Sequence, residues 1–268
     1  MEIDFQKNKW RYANMKNIVL NEKELLNKSL NEGYIDQKKP SKTLGLLIRH
    51  YLLNELDKES IYNKIDEFMT NNYDGYNKNK WSRLIRGMIT SMSGFKRIHS
   101  IVDVDRVTIT EYEWDMITKL NDKRLEKVAF VTLIYKKAID IKNDNEDCWV
   151  NTSKMDILQE ALGIRKKDDR ILFGLLNNLK YIETGKSCDC QGFKVNYCNN
   201  ESPIKFEITD FDKVIHYYNQ YRFGWKYIKC SECGKWKRIS NKSNNNTKYC
   251  KECAKEVIRT KDRLRKHK

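Results

Sequence analysis

Four cysteines near the C-terminal end constrain most strongly what this chain can fold into. Cys230 and Cys233 are followed, after sixteen residues, by Cys250 and Cys253. Two cysteines three positions apart place both thiolates on one side of a tight turn, and two such turns facing each other complete a tetrahedron around a metal ion. Gly234 permits the backbone turn that the first pair needs. The spacing therefore predicts one zinc ion with four thiolate ligands.

Four thiolates leave no open position on zinc for water, so the predicted role of the ion is structural. Between the two pairs, Trp236–Ile239 is predicted as a strand, and residues 240–247 as a polar loop. A helix is expected from Ala254 to about Lys266. This order of elements resembles a zinc-ribbon or treble-clef module, and we assign residues 222–268 to a basic zinc-binding module.

The positive charge of the chain is concentrated in this module. Residues 222–268 carry 16 lysines and arginines against 4 acids, a net charge of +12. Residues 1–221 carry 36 against 33, a net charge of +3. Such asymmetry predicts an acidic partner, most commonly nucleic acid, although a solvated basic tail is the alternative. The candidate phosphate contacts are Lys235, Lys237, Arg238, Lys251, Lys255, Arg259 and Arg263.

The first 94 residues are predicted to form a helical N-terminal domain that serves for packing or dimerisation. Helices are expected at about residues 16–30, from a cap at Ser41, from Lys58 and from about Asn79. In the last of these, the spacing of the apolar residues predicts an inward face of Trp81, Leu84, Ile85 and Met88.

Residues 95–221 are predicted to form a winged helix-turn-helix domain. A strand at 101–110 leads into a helix capped by Thr110 with Glu113, and a long apolar helix covers 124–139. Two further helices are predicted on either side of a tight turn at Gly163, one from Ser153 and one over about 166–180. In the second, an inward face is expected from Ile171, Leu172, Leu175, Leu176 and Leu179.

The same region continues with strands at 181–183, 193–198 and 204–209, the first two forming the predicted wing. Helix, short strand, helix, turn, helix and hairpin is the order of a winged helix-turn-helix. The aromatic residues between Tyr217 and Tyr227 are expected to form a packing seam between domains rather than a platform for stacked bases. The fold class is thus mainly α with small β elements.

The second helix of such a pair would present its N-terminal half to the major groove of DNA. The candidate contacts are Arg165, Lys166, Lys167 and Arg170. Asp168 and Asp169 interrupt this positive charge, and winged helices also serve to bind other proteins. Both DNA binding and protein binding by this helix therefore stay open.

Four more cysteines lie at Cys148, Cys188, Cys190 and Cys198. If the predicted wing pairs with the strand near Cys148, they offer a second metal site. Cys188-x-Cys190 is a poor spacing for a metal-binding turn, however, and free buried cysteines are common. The expectation is one structural zinc ion, with the second site as the less favoured alternative.

Neither a signal peptide nor an apolar run of membrane-spanning length is recognisable, which predicts a protein of a bacterial host cytosol without a membrane partner. The four histidines lie in none of the common catalytic motifs. Asp103 and Asp105 alternate in a predicted strand and are expected to be solvated. The chain is therefore predicted not to be an enzyme.

Two stretches carry a resemblance: VTITEYEWDMITKLNDKRLEKVAFVTLIYKKA at 107–138 and CSECGKWKRISNKSNNNTKYCKECAKEVIRTKDR at 230–263. Both resemble proteins of Firmicutes phages and mobile elements, in which a winged-helix-like region precedes a four-cysteine module. The resemblance implies a nucleic-acid-binding factor for replication or transcription, with DNA favoured over RNA. The alternative that it implies is an inhibitor of a host nucleic-acid machine, such as an RNA-guided nuclease or a polymerase, that contacts a host nucleoprotein complex through protein or RNA.

Overall fold

The computed structural model describes residues 14–15, 18–95, 98–145, 149–163, 170–185, 192–239 and 248–266. Over these residues the chain is mainly helical with small antiparallel sheets, as the sequence predicts. The helices and strands before residue 100 are β1 (Asn14–Met15), β2 (Ile18–Val19), α1 (Glu22–Glu32), α2 (Pro40–Leu53), α3 (Lys58–Asn72) and α4 (Lys78–Ser93).

The four N-terminal helices enclose a core of their own. Its members include the fully buried Leu25, Leu44, Ile61, Ile65 and Ile85. Because these side chains recur at helical spacing, each helix buries one stripe against the others. The helices were therefore predictable as elements, although their boundaries were less so.

Three details of the N-terminal prediction are wrong. The chain forms the β1–β2 hairpin where a helix was expected to begin, and α1 starts only at Glu22. The helix expected to be capped by Ser41 instead begins at Pro40, which suits the first helical position because its fixed φ is helical and it needs no N–H partner there. Leu84 is 49% exposed rather than turned inward.

The second core gathers Met15, Leu20 and residues from Val104 onward. Its elements are β3 (Val107–Thr110), α5 (Glu111–Thr118), α6 (Lys123–Asn143), α7 (Lys154–Leu162), α8 (Ile171–Asn178), β4 (Ile182–Thr184), β5 (Phe193–Val195), β6 (Ile204–Ile208) and α9 (Ile215–Phe223). Helix α6 is central, since Phe130, Leu133 and Tyr135 are fully buried along it. Helix α6 is longer than predicted and ends at Asn143, and Asp144 after it adopts the left-handed conformation.

Two small antiparallel sheets flank this core. Strand β3 pairs with β6, with Val107 opposite Ile208, and β4 pairs with β5, with Ile182 opposite Val195. Val150 adds a bridge to Phe193 through two backbone hydrogen bonds of 2.8 and 3.2 Å. The region before α7 therefore pairs with β5.

The strand expected over residues 101–110 covers only Val107–Thr110. Asp103 instead lies opposite Asn21, and its carboxylate accepts a hydrogen bond of 2.8 Å from the backbone N–H of Lys23. The start of α1 has unpaired backbone donors, so Asp103 caps a helix of the N-terminal core. Its predicted role as a solvated strand residue is wrong.

Helix α8 is covered on one side only. Leu172, Phe173 and Leu176 are buried, but Ile171 is 66% exposed, and Leu175 and Leu179 are exposed as well. The prediction that all five apolar residues face inward is therefore wrong. Gly163 ends α7 at φ +75°, as predicted, while residues 164–169 lie outside the described part of the chain.

The C-terminal elements are β7 (Lys226–Lys229), β8 (Trp236–Ile239) and α10 (Lys251–Lys266). Strand β8 has the predicted bounds and pairs antiparallel with β7, with Lys229 opposite Trp236. Helix α10 begins three residues earlier than expected. Among the described residues, none of the helices combines the length and the apolar character needed to cross a membrane.

Candidate metal centre and basic surface

The four cysteines of the C-terminal pattern come together in space. Cys230 and Cys233 lie in the turn between β7 and β8, Cys250 precedes α10, and Cys253 lies in its first turn. Their four sulfur atoms are all within 4.8 Å of one another, and the Sγ atoms of Cys233 and Cys250 are 3.8 Å apart. A tetrahedral zinc ion with Zn–S bonds of about 2.3 Å requires sulfur atoms about 3.8 Å apart. The cluster can therefore bind a metal ion such as zinc.

The backbone holds the first cysteine pair in a closed turn. Gly234 has a φ of +65°, in the left-handed region that glycine adopts without strain. Its N–H donates to the carbonyl of Cys230 over 2.9 Å, and the N–H of Cys230 donates to the carbonyl of Lys235 over 3.0 Å. The N–H of Ser231 reaches the carbonyl of Lys248 over 3.0 Å, which joins this turn to the second pair.

Backbone N–H groups also favour thiolates. Hydrogen bonds from the backbone of Cys233 and of Cys250 lower the pKa of the Cys230 thiol to about 6. The N–H of Cys253 lies 3.4 Å from the Cys250 sulfur and lowers the pKa of that thiol. The pKa of Cys253 is raised, since its thiol hydrogen-bonds to the sulfur of Cys250. A bound cation is what would hold all four sulfurs as thiolates together.

Aromatic contacts attach this module to α9. The His216 ring stacks on Tyr227 at 4.1 Å between centroids and meets Trp236 edge-on at 5.5 Å. The Trp225 ring has the guanidinium of Arg238 over it at 3.8 Å and Phe223 beside it at 5.4 Å. These rings pack against other side chains of this chain, as expected if the aromatic residues between Tyr217 and Tyr227 serve for packing.

Three of the predicted phosphate-binding residues have contacts within the module. Lys237 is partly buried and donates a hydrogen bond to the carbonyl of Tyr249. Arg238 lies over the Trp225 ring, and Lys235 Nζ is 3.8 Å from a Glu252 carboxylate oxygen. Lys237 therefore supports the second cysteine pair, whatever else it contacts.

Four other predicted contacts form an exposed row on α10. Lys251, Lys255, Arg259 and Arg263 follow one another at intervals of four residues, and all are exposed. At the helical period, this row lies away from Cys253, whose side of the helix holds the cluster. Arg259 Nη1 is 3.5 Å from Glu256 on the same helix. We call these four residues the α10 basic row.

The candidate contacts in the predicted helix-turn-helix are placed only in part. Arg165, Lys166 and Lys167 lie outside the described residues. Arg170 precedes α8 and is exposed, with its Nε 3.5 Å from the Met155 sulfur.

The less favoured second metal site falls largely outside the described residues, since Cys148, Cys188 and Cys190 are among those not described. Cys198 is half-buried, and burial raises the pKa of its thiol to about 11. A raised pKa favours the protonated thiol, which is a poor metal ligand.

Sequence reasoning missed two features that hold the module in place. One is strand β7, whose sequence KYIK places two apolar residues side by side and so shows no alternation that would predict a strand. The other is Glu126 of α6, which is almost fully buried and accepts hydrogen bonds from Tyr218 at 2.6 Å and Arg222 at 2.8 Å. No local pattern indicated that contact, because 96 residues separate Glu126 from Arg222.

Comparisons of the chain with protein-family models, with curated proteins and with solved structures find no match.

Proposed function

We propose that this chain is a nucleic-acid-binding protein of a phage or mobile element that acts in DNA replication or transcription in a bacterial cytosol. Its C-terminal module would bind one structural zinc ion in a treble-clef or zinc-ribbon arrangement. The observation that carries the proposal is the α10 basic row, an exposed line of four cations on a helix that the cysteine cluster holds at its N-terminus.

The order of elements in the module supports the treble-clef reading. A β-hairpin carries the first cysteine pair at its turn, and the second pair lies at the start of a helix. Four sulfur ligands leave no position for a reactive water, so zinc would supply folding energy rather than chemistry. In this proposal the four cysteines serve to orient α10.

A winged helix-turn-helix in residues 95–221 is the second part of the proposal. Helices α7 and α8 are followed by the β4–β5 hairpin, and Val150 pairs with Phe193 at the side of that hairpin. A three-stranded arrangement of this kind beside two helices is what the winged helix requires. Arg170 and the undescribed Arg165, Lys166 and Lys167 remain its proposed DNA contacts.

The experiment measures binding to a labelled DNA duplex and to a labelled RNA duplex of equal length at a series of salt concentrations. Fluorescence anisotropy is the readout. Each phosphate contact contributes about 0.9 to the slope of log K against log salt on DNA. Replacing Lys251, Lys255 and Arg259 by Ala should therefore reduce that slope by about 2 to 3.

A matched control removes the same charge from exposed lysines of the N-terminal region, at Lys23 in α1, Lys38 in the turn before α2 and Lys58 in α3. This variant should keep the slope of the unchanged protein. Tighter binding of DNA than of RNA supports the proposal in full, and the reverse order would correct the ligand to RNA. Failure of the metal-loaded protein to bind either duplex at low salt would refute it.

The exposed apolar side of α8 favours a second candidate function. Ile171, Leu175 and Leu179 leave little charge in the middle of the helix that would enter a major groove. An apolar helix face suits a protein partner, in line with an inhibitor of a host RNA-guided nuclease or polymerase. The test is whether the unchanged protein inhibits such a purified enzyme. This candidate is favoured if Leu175→Glu abolishes the inhibition and the variant with Ala at Lys251, Lys255 and Arg259 keeps it.

A further inference from the structure

Arg238 differs in its surroundings from the other predicted phosphate contacts. It is exposed on β8, and its guanidinium carbon lies 3.8 Å from the centre of the Trp225 ring. By contrast, Lys235 and Arg259 lie 3.8 and 3.5 Å from glutamate carboxylates. Among the ion pairs of the described residues, none includes Arg238. Arg238 therefore combines a defined position with a charge that no described carboxylate neutralises.

The contact with Trp225 fixes the plane of the guanidinium. Non-bonded heavy atoms pack at about 3.5 to 4.0 Å, so at this distance an edge-on guanidinium would push its nitrogens into the ring. The two planes therefore stack, as guanidinium groups do on aromatic faces. The Trp225 ring has Phe223 beside it at 5.4 Å between centroids, and Phe223 meets the fully buried Tyr218 edge-on at 5.9 Å. Three rings thus connect Arg238 to the second core.

Stacking leaves the N–H groups of Arg238 pointing sideways, in the plane of the guanidinium. Two parallel N–H groups match two acceptors, such as O6 and N7 of guanine or two oxygens of a phosphate. A phosphate contact needs little more than a positive charge, which a flexible lysine also supplies. A fixed fork has its advantage where both acceptors are themselves rigidly placed, because less side-chain entropy is lost on binding. The base edge of guanine is such a pair of acceptors.

The two acceptors of guanine are accessible to a protein side chain in duplex DNA. Arg238 lies on a ribbon of two antiparallel strands, β7 and β8. The major groove of B-form DNA is about 12 Å wide and admits a ribbon of this kind. The major groove of an RNA duplex is deep and narrow, so side chains do not reach its base edges there. Duplex DNA is therefore the ligand that this arrangement favours.

We propose that Arg238 reads guanine in duplex DNA, donating two hydrogen bonds from its guanidinium to O6 and N7 of one guanine while Trp225 holds its plane. This inference rests on the proposed function and adds a base preference to it. The α10 basic row positions the module on the phosphates, and Arg238 supplies the selectivity that phosphate contacts lack. A bidentate contact of this kind discriminates about tenfold to a hundredfold against the other bases.

The test is selection of binding sites from random duplex DNA by the full-length, metal-loaded protein, followed by anisotropy measurements on the selected duplex. The unchanged protein should enrich a site that contains guanine. Arg238→Ala should lose the preference for guanine at one position and keep the salt slope nearly unchanged, because no phosphate contact is removed. Replacing that guanine by 7-deazaguanine, which lacks the N7 acceptor, should weaken binding of the unchanged protein about tenfold and leave that of Arg238→Ala unaffected.

The matched control is Arg263→Ala, which removes the same side chain from an exposed position of the α10 basic row. This variant should select the same site and lower the salt slope by about 0.9. One equivalent of bound zinc in each variant establishes that the module is folded.

The proposal is overturned if Arg238→Ala keeps every selected guanine, or if 7-deazaguanine leaves binding of the unchanged protein as it was. It is also overturned if the unchanged protein binds duplex DNA with a steep salt dependence but enriches no sequence, and in that case the proposed function stands. Failure to bind any duplex at low salt would refute the proposed function as well.

Discussion

The guanidinium of Arg222 lies against the buried carboxylate of Glu126, with Arg222 Nε 2.8 Å from Oε2 and Nη2 3.2 Å from Oε1. The Tyr218 hydroxyl donates to the same Oε2 over 2.6 Å. This contact ties the end of α9, where the basic module begins, to the central helix α6. The pKa of Tyr218 is raised, mainly because its phenol is buried and secondly because its hydroxyl donates to the Glu126 carboxylate.

Substituting Glu126 by Gln should destabilise the protein by about 1 to 3 kcal/mol, because a buried acceptor of two strong donors becomes a group that must donate as well. Urea unfolding of the metal-loaded protein at pH 7 measures the change. Glu59 is the control: it pairs with Arg86 through two bonds of 2.7 and 3.0 Å, but at the surface. Glu59→Gln should leave the midpoint nearly unchanged, and equal losses from both variants would contradict the role of burial.

Local chemistry explains which features could be predicted from the sequence. The cysteine pairs, the turn at Gly234 and the strand Trp236–Ile239 depend on residues within a short stretch, and the structure has all three. Strand β7 carries no such local signal, because Tyr227 and Ile228 are adjacent, and its pairing with β8 depends on contacts between two separate stretches. The exposed side of α8 depends on which neighbours cover the helix, and apolar periodicity does not reveal how wide the covered face is.

Lys237 and Lys255 should respond differently to substitution by Ala. Lys237 holds the carbonyl of Tyr249 beside Cys250, whereas Lys255 is exposed on α10. Lys237→Ala should cost about 1 kcal/mol through the lost hydrogen bond and loosen metal binding. Lys255→Ala should keep the metal affinity and weaken only the binding of nucleic acid. Competition with a chromogenic zinc chelator measures the first effect, and anisotropy the second.

Removing the metal should unfold the C-terminal module and leave the helical cores intact. The module has few buried apolar side chains, and Cys230 is its one buried cysteine among the four ligands. A strong chelator, or Cys250→Ser, should therefore remove the unfolding transition of residues 222–268, because this region is already unfolded. The main thermal transition should stay unchanged. Hydrogen exchange resolved by peptide distinguishes the two regions. Cys198→Ser should retain one equivalent of zinc, and loss of zinc there would contradict the assignment of the four ligands.

Cys198 should be a slow thiol in the folded protein. Burial raises its pKa to about 11, so at pH 8 about a hundredfold less thiolate is present than for an ordinary cysteine near pKa 9. Iodoacetamide labelling of Cys198, followed by mass spectrometry, should accelerate about tenfold per pH unit up to about 11. A thiol whose pKa is raised on folding binds its proton more tightly in the native state, so its contribution to stability is complete below about pH 9 and is lost as pH rises toward 11. Fast labelling at pH 8 in the native protein would contradict its burial.

Glu113 is half of the capping box that the sequence predicts, and the structure shows that it has a second role. The box with Thr110 is present, and the fully buried carboxylate of Glu113 also forms an ion pair of 2.8 Å with the buried Lys137. Glu113→Ala should thus cost about 3 to 5 kcal/mol, because Lys137 remains buried without its anion, whereas the loss of a cap alone in Thr110→Ala should cost about 1 kcal/mol.

The double variant Glu113→Leu with Lys137→Met separates these causes. Replacing both members of a buried ion pair by apolar residues is often close to neutral, so the double variant should recover much of the stability that Glu113→Ala loses. Urea midpoints of these variants, of Glu113→Leu alone and of Lys137→Met alone complete the comparison. If the losses of Glu113→Leu and Lys137→Met simply add in the double variant, the ion pair does not couple the two residues.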